Sequence, residues 1–485
     1  MTEKTIYELS QNGRSGVTFP AIDVPFTKLP DNFQRDKLRL PELSESDVIR
    51  HFTKLSKYNY SIDDGFYPLG SCTMKYNPKI NEEASRLPGL ANTHPRQPIV
   101  SVQGNLYVMH QLQEMLQEIS GFSRVCLTPA AGAQGELVGA LMIKKYHQVN
   151  HNNKRIKILI PDSAHGTNPA TSSMSGFKVV PLPSDERGNV DIDTLKTECD
   201  ETLAGLMLTN PNTLGLFDEN VEEVINLVHE AGGLVYGDGA NLNALLGFLR
   251  PGDIGFDIMH FNLHKTFSTP HGGGGPGSGP VGASQALKDY LPGPVVTIIE
   301  EGDDASPPFF GFHTPKNSIG RMKAFYGHFG VHIRAYTYIS MLGGKGLRDA
   351  AEKAVLNANY VMKKIKHNYP LPYDRTCMHE FVVEGTWEDV PEVHALDISK
   401  RLMDYGFHPP TNYFPLIVHE ALMIEPTETE NKQTLDAFSD ALIAIAKEAR
   451  ENPELLHNAP YDTPVRRCDE VKAAKDLVFR CCIPE

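Results

Sequence analysis

A lysine at the end of a short apolar run is the residue of this chain best suited to covalent chemistry. The segment reads Asp257-Ile-Met-His-Phe-Asn-Leu-His-Lys-Thr-Phe, so Lys265 and Thr266 follow strand-like residues, and a glycine cluster, Gly272–Gly275, comes soon after. An amine held in a buried strand end is more easily kept neutral and nucleophilic, which suits a Schiff base with a carbonyl cofactor. The glycines let bulky groups approach the main chain. Taken alone, Lys265 reads as a surface lysine and the glycines as a flexible loop. The residues upstream change that balance.

Asp238 ends the apolar stretch Gly233-Leu-Val-Tyr-Gly-Asp, one strand–crossover–strand unit before Lys265. A carboxylate there keeps a pyridine nitrogen protonated. His165, in Asp162-Ser-Ala-His-Gly-Thr-Asn-Pro, lies just past another apolar run and offers a flat ring for stacking. Ala131, Gly132 and Ala133 open a helix-like segment whose free N–H groups and dipole favour a phosphate. Thr266 and the glycine cluster are further phosphate candidates. Asn210 follows the strand-like Gly205–Thr209 and is a candidate for a cofactor's phenolic oxygen or for the substrate. His264 is a candidate for proton handling, with a structural hydrogen bond as good a reading. His94 and Arg96 are weaker candidates, for a substrate carboxylate.

Each of these residues also has a plain structural reading: Asp238 as a turn cap, His165 as a packed histidine, residues 131–133 as helix packing. In this order, all at strand C-terminal ends where open α/β sheets bind ligands, they combine differently. They supply the amine, the acid, the stacking ring and the phosphate cradle that pyridoxal 5'-phosphate needs.

The elements that must position them alternate. Strand-like runs at Val125–Leu127, Ile156–Ile160, Lys178–Leu182, Gly205–Thr209, Gly233–Tyr236, Ile258–Phe261 and Pro280–Gly282 are interleaved with helix-like Gly135–Tyr146, Asp193–Cys199 and Asn220–Glu230. This predicts an α/β fold with a mostly parallel sheet in a large domain over residues 96–325. Residues 326–485 read as a smaller α+β C-terminal domain. It has amphipathic runs at Val331–Leu342, Leu347–Lys366 and Asn431–Glu448, a break at Gly343–Gly346, and strand-like Glu380–Glu384 and Leu422–Glu425. Residues 1–95 are proline-rich and irregular apart from a helix-like stretch at Ser44–Lys57, and read as an N-terminal arm that wraps a neighbouring subunit and delivers the Ser71-Cys72-Thr73-Met74-Lys75 loop to a site, rather than as an ordinary surface extension. The tail after Pro460 is expected to pack against that arm.

The 485 residues, 40% hydrophobic and 22% charged, belong to a globular chain able to bury a large core. A formal charge of −14 argues against nucleic acid and anionic membrane as partners. No apolar run is long enough for a membrane span, and the N-terminus has no leader character, so a cytoplasmic location is expected. Seven scattered cysteines without metal-ligand spacing favour reduced thiols over a disulfide frame, and no metal site is expected. Cys72 is open to a role near the site or to simple packing.

Four strings carry a resemblance that runs over essentially the whole chain: Tyr67-Pro-Leu-Gly-Ser-Cys-Thr-Met-Lys-Tyr-Asn-Pro, Ser163-Ala-His-Gly-Thr-Asn-Pro-Ala, Asp238-Gly-Ala-Asn-Leu-Asn-Ala and Leu263-His-Lys-Thr-Phe. With them the sequence resembles the glycine cleavage system P-protein family, decarboxylating glycine dehydrogenases, in the separately encoded subunit 2 form. The resemblance implies a fold-type I pyridoxal-phosphate enzyme. Lys265 would hold the cofactor, Asp238 would face its ring nitrogen and His165 would stack on it. It also implies glycine as substrate, the lipoyl arm of H-protein as acceptor, and P-protein subunit 1 as partner in a two-plus-two heterotetramer. Two alternatives remain at this level. One is another fold-type I enzyme, such as an aminotransferase or cysteine desulfurase; the other is a non-catalytic scaffolding subunit, against which Lys265 argues.

Overall fold

The computed structural model describes residues 3–35, 38–272, 277–304 and 306–478. Residues Phe66–Asn458 form one compact unit, while Met1–Gly65 and Ala459–Glu485 group as another.

In the larger unit a seven-stranded sheet runs in the order β1-β7-β6-β5-β4-β2-β3. The strands are β1 (Arg124–Cys126), β2 (Lys157–Pro161), β3 (Lys178–Leu182), β4 (Leu203–Thr209), β5 (Leu234–Asp238), β6 (Ile258–His260) and β7 (Val281–Ala283). Strands β3, β2, β4, β5 and β6 are parallel, and β7 is antiparallel to both β6 and β1. Two antiparallel steps return β1 to the direction of β6. The C-terminal ends of β1, β2, β4, β5 and β6 therefore share one edge. Every residue of β4 is buried, the pattern of a central strand covered by helices on both faces. The helix Gln103–Ser120 buries Leu106, Met109, Leu112 and Leu116, spaced at helical period, and ends at Gly121 with φ 80°.

A hairpin of β8 (Val295–Glu300) and β9 (Phe309–His313) follows, then the long helix Phe329–Ile365. The expected break falls inside that helix. Gly343 takes φ 60° and ψ −178° while helix resumes on either side, so the interruption is one residue deep. A second sheet, β10 (Phe381–Glu384), β12 (Ala421–Ile424) and β11 (Thr411–Asn412), packs with the helices Ala395–Asp404 and Lys432–Glu451 around a separate apolar core.

The smaller unit is largely irregular. Its helix Glu45–Ser56 is N-capped by Ser44, whose hydroxyl accepts the Asp47 amide. Phe19, Phe26 and Phe33 are 84%, 78% and 73% exposed. Among the described residues no helix is long and apolar enough to cross a membrane, and the described cysteines are free thiols. Cys481 and Cys482 lie outside the described residues.

Candidate active site

The loops after β1, β2, β4, β5 and β6 surround a cavity of about 250 Å³ at the shared sheet edge. Lys265, Asp238, His165, Ala131, Gly132 and Ala133 all line it, as does His264. The Lys265 Nζ donates to the Ser71 carbonyl at 2.7 Å, which fixes the amine against a turn far away in sequence. Asp238 is the last residue of β5 and pairs in register with Thr209 at the end of β4. The strand ends thus deliver a carboxylate and a hydroxyl side by side.

Asp238 is 4% exposed. Its Oδ1 accepts the Ala240 amide at 2.9 Å, and its Oδ2 accepts the Asn168 side-chain amide at 3.1 Å. His260 Nε2 stands 3.4 Å from Oδ1. Burial pushes this carboxyl upward, but His260 and these hydrogen bonds outweigh it, so it titrates below the usual range and is ionised at neutral pH. His264 is held neutral: burial first, then the neighbouring His271 and Lys265, push it down to about 3. Its Nδ1 accepts the Ser278 amide at 3.2 Å, which is the structural reading of this residue.

Two expected cofactor contacts fall outside the lining. Asn210 is buried with its Oδ1 accepting the Asp218 amide at 3.0 Å, so it shapes the loop after β4. Thr266 is fully buried, its hydroxyl without a hydrogen-bond partner among the described residues. His94 borders a different cleft together with Phe325, and the Arg96 guanidinium sits 5.8 Å from the Phe325 ring centre. In the glycine cluster, Gly272 has φ 81°, and Gly273–Gly275 lie outside the described residues.

Sequence reasoning missed Thr209, His260 and Glu136, while Ser71, from the loop expected to reach a site, does line the cavity. Glu136 was within reach, since it lies one helical turn after Gly132 on the same helix, Gly132–Val149. Its Oε1 accepts Thr167 Oγ1 at 2.8 Å and its Oε2 accepts Asn168 Nδ2 at 3.1 Å. Asn168 therefore bridges Glu136 and Asp238. Burial, then the Asp238 carboxylate, push Glu136 up to about 8. A carboxyl raised above its unfolded value binds its proton more tightly in the folded chain. Stability is therefore lost as pH rises from the unfolded pKa toward about 8. Glu136→Gln mimics the neutral acid. Thermal melts of the cofactor-free protein should show the variant a few degrees more stable than wild type at pH 8.5, with little difference near pH 4.

The residues present fit pyridoxal phosphate. No side chain caps the helix that starts at Gly132, so its first N–H groups face the cavity uncapped. A Cβ at Gly132 would come within 2.7 Å of Asn262 Oδ1, so only glycine keeps this wall open. The buried Thr209 hydroxyl has no hydrogen-bond partner among the described residues and lies on the lining. An ionised acid, a free helix N-terminus and a lysine then stand around one space.

Residues 350–461 match the family described as glycine dehydrogenase, C-terminal domain, and residues 140–274 match aminotransferase class-V. The chain is 58% identical over 480 residues to a probable glycine dehydrogenase (decarboxylating) subunit 2 of Caldanaerobacter subterraneus, covering 98% of both chains. It is 57% identical over 482 residues to the protein of the same description from Alkaliphilus oremlandii, again covering 98% of each. Among solved structures, glycine decarboxylase (P-protein) of the glycine cleavage system in inhibitor-bound form is similar with a TM-score of 0.72 at 21% identity, over 86% of this chain and 93% of that one. Glutamate decarboxylase of Lactobacillus brevis is similar with a TM-score of 0.63 at 15% identity, over 89% and 96%. These likenesses are those of a fold-type I enzyme with a mostly parallel large sheet.

Proposed function

The chain belongs to the glycine dehydrogenase (decarboxylating) subunit 2 family, and from that premise we infer that it decarboxylates glycine with pyridoxal 5'-phosphate, passing the remaining aminomethyl carbon to a disulfide acceptor. The observation that carries this reading is the shared cavity: Lys265 and Asp238 line one space at the C-terminal edge of the sheet. The aminotransferase alternative is not favoured, because the near-full-length relatives are glycine dehydrogenases and the class-V match reflects the shared fold.

When bound, pyridoxal phosphate supplies an aldehyde open to amines and a ring that draws electrons from the Cα–carboxylate bond. Lys265 would supply the capturing amine at Nζ, which the Ser71 carbonyl already holds at 2.7 Å. Asp238, ionised at neutral pH, would keep a proton on the ring nitrogen. His165 presents its ring to the cavity. Its Nδ1 is within 2.8 Å of Thr167 Oγ1, and its edge packs on Phe414 at 5.4 Å, which fixes the plane available for stacking. Ala131, Gly132 and Ala133, at the uncapped start of the helix, would hold the phosphate. Thr209 is a better candidate than Asn210 for a polar contact to the ring or substrate, because it is the one of the two on the lining and its buried hydroxyl has no hydrogen-bond partner among the described residues.

The acceptor in this reading is the lipoyl disulfide of H-protein: a carbon–sulfur bond forms as the sulfur–sulfur bond breaks, and the departing sulfur takes a proton. P-protein subunit 1 completes the enzyme as a two-plus-two heterotetramer. The exposed apolar side chains of residues 17–40 support an arm that is covered by a neighbouring subunit, and the compartment is the cytoplasm. Exchange of labelled carbon dioxide into glycine tests the whole assignment. It should require lipoylated H-protein and rise at least tenfold when subunit 1 is added. Keto-acid formation without carbon dioxide exchange would return the chain to the aminotransferases.

A further inference from the structure

Behind the cavity, the second sheet brings two acids together. Phe381 pairs with Ile424, and the residues just beyond that pair are Glu380 and Glu425, both fully buried. Neither lines the cavity. Both hold the turn that contains Ser71. Glu380 Oε2 accepts the Ser71 amide at 2.6 Å. Glu425 Oε2 accepts the Thr73 amide at 2.7 Å and its Oε1 accepts the Thr73 hydroxyl at 2.6 Å. Ser71 and Thr73 have φ of 62° and 48°, left-handed conformations that non-glycine residues adopt only where surrounding contacts fix them. The carbonyl of that same Ser71 receives Lys265 Nζ.

We propose that Glu380 and Glu425 are positioning residues that hold the Ser71–Thr73 turn in its left-handed form, so that the Ser71 carbonyl stands ready for the Lys265 amine. An ionised carboxylate oxygen is the strongest acceptor available for a backbone amide, and with a carboxyl oxygen of its protonated partner it pins a turn that would otherwise relax. Two ionised carboxylates cannot share this buried space, so the pair carries one proton and one negative charge. Burial raises both, Glu425 to about 7 and Glu380 well above the ordinary value. His379 completes the cluster. It is fully buried, its ring nitrogens have no hydrogen-bond partner among the described residues, and Nε2 lies 3.9 Å from Glu380 Oε1 and 3.7 Å from Glu425 Oε1. The other charged groups facing the pair are Lys265 and the buried Lys75–Glu428 ion pair, closed at 2.7 Å.

The inference rests on Lys265 being the capturing amine, and the test separates the two. Full-length protein freed of cofactor is given pyridoxal phosphate. Capture at Lys265 is trapped with borohydride and read by peptide mass, and alkylation of Cys72, which lies inside the turn, is followed in parallel. A wild type that fails to fix the cofactor on Lys265 refutes the functional reading itself. Glu380→Ala and Glu425→Ala should each slow capture by about tenfold or more and speed Cys72 alkylation similarly, as expected for loss of a charge-assisted hydrogen bond. Glu380→Gln and Glu425→Gln keep an amide-oxygen acceptor and, with the partner acid ionised, the single negative charge. Each should restore the wild-type capture rate and its pH dependence. The double Gln variant removes the charge facing Lys265 and should move the midpoint of capture to lower pH by roughly one unit. Alanine variants that capture at the wild-type rate with Cys72 still protected would overturn the proposal. So would a double Gln variant with an unshifted midpoint, or a stoichiometric divalent metal bound through His379 in the wild type.

Discussion

Lys265→Ala is expected to lose glycine decarboxylation by at least about a thousandfold, equivalent to about 4 kcal/mol on the barrier, together with covalent capture of the cofactor. The size follows from the geometry. Among the described residues that line the cavity Lys265 is the only lysine, and its Nζ is fixed by the Ser71 carbonyl at 2.7 Å. The fold should tolerate the change, because that single hydrogen bond runs to a carbonyl on the cavity rim. The measurement is paired: carbon dioxide exchange for the chemistry, and visible absorbance with borohydride trapping for capture. A variant that keeps visible absorbance and normal turnover would place the capturing amine elsewhere. Retained capture with lost turnover would instead make Lys265 a group needed only after the cofactor is in place.

The parallel strands were legible because a strand buried on both faces reads as an uninterrupted apolar run. Leu203–Thr209 is such a run, and so are Lys157–Pro161 and Leu234–Asp238. Since these strands are parallel, the polar residues that follow them fall on one edge, and that rule alone gathers Asp238, His165 and Lys265. The rule does not say which way a side chain turns. Neighbouring residues at a strand end point to opposite sides, so Thr209 reaches the cavity while Asn210 turns to the Asp218 amide. The hairpin Val295–His313 went unread because its strands are joined by an acidic, proline-bearing segment with no tight-turn dipeptide. The helix Gln103–Ser120 was hidden by the glutamines and histidine between its apolar positions. Glu380 and Glu425 were out of reach for another reason. They become neighbours only through antiparallel register, and their partners Ser71 and Thr73 lie more than 300 residues earlier.

Asp238→Asn tests the other half of the site. Asparagine keeps the shape and an acceptor for the Ala240 amide, but removes the negative charge that, in the proposed function, would keep the ring nitrogen protonated. Turnover should fall by about a hundredfold or more, about 2.7 kcal/mol, while Lys265 still captures the cofactor. Stability should respond as well. Asp238 titrates below its unfolded value, so its contribution is present above the unfolded pKa and lost as pH falls through the folded one. The variant should therefore lose part of the acid-side decline seen in wild-type melts. A modest loss of stability at neutral pH is therefore expected as well, and the electronic role is read instead from turnover that falls in folded protein with capture at Lys265 intact. An Asp238→Asn protein with wild-type carbon dioxide exchange would remove this residue from the ring nitrogen altogether.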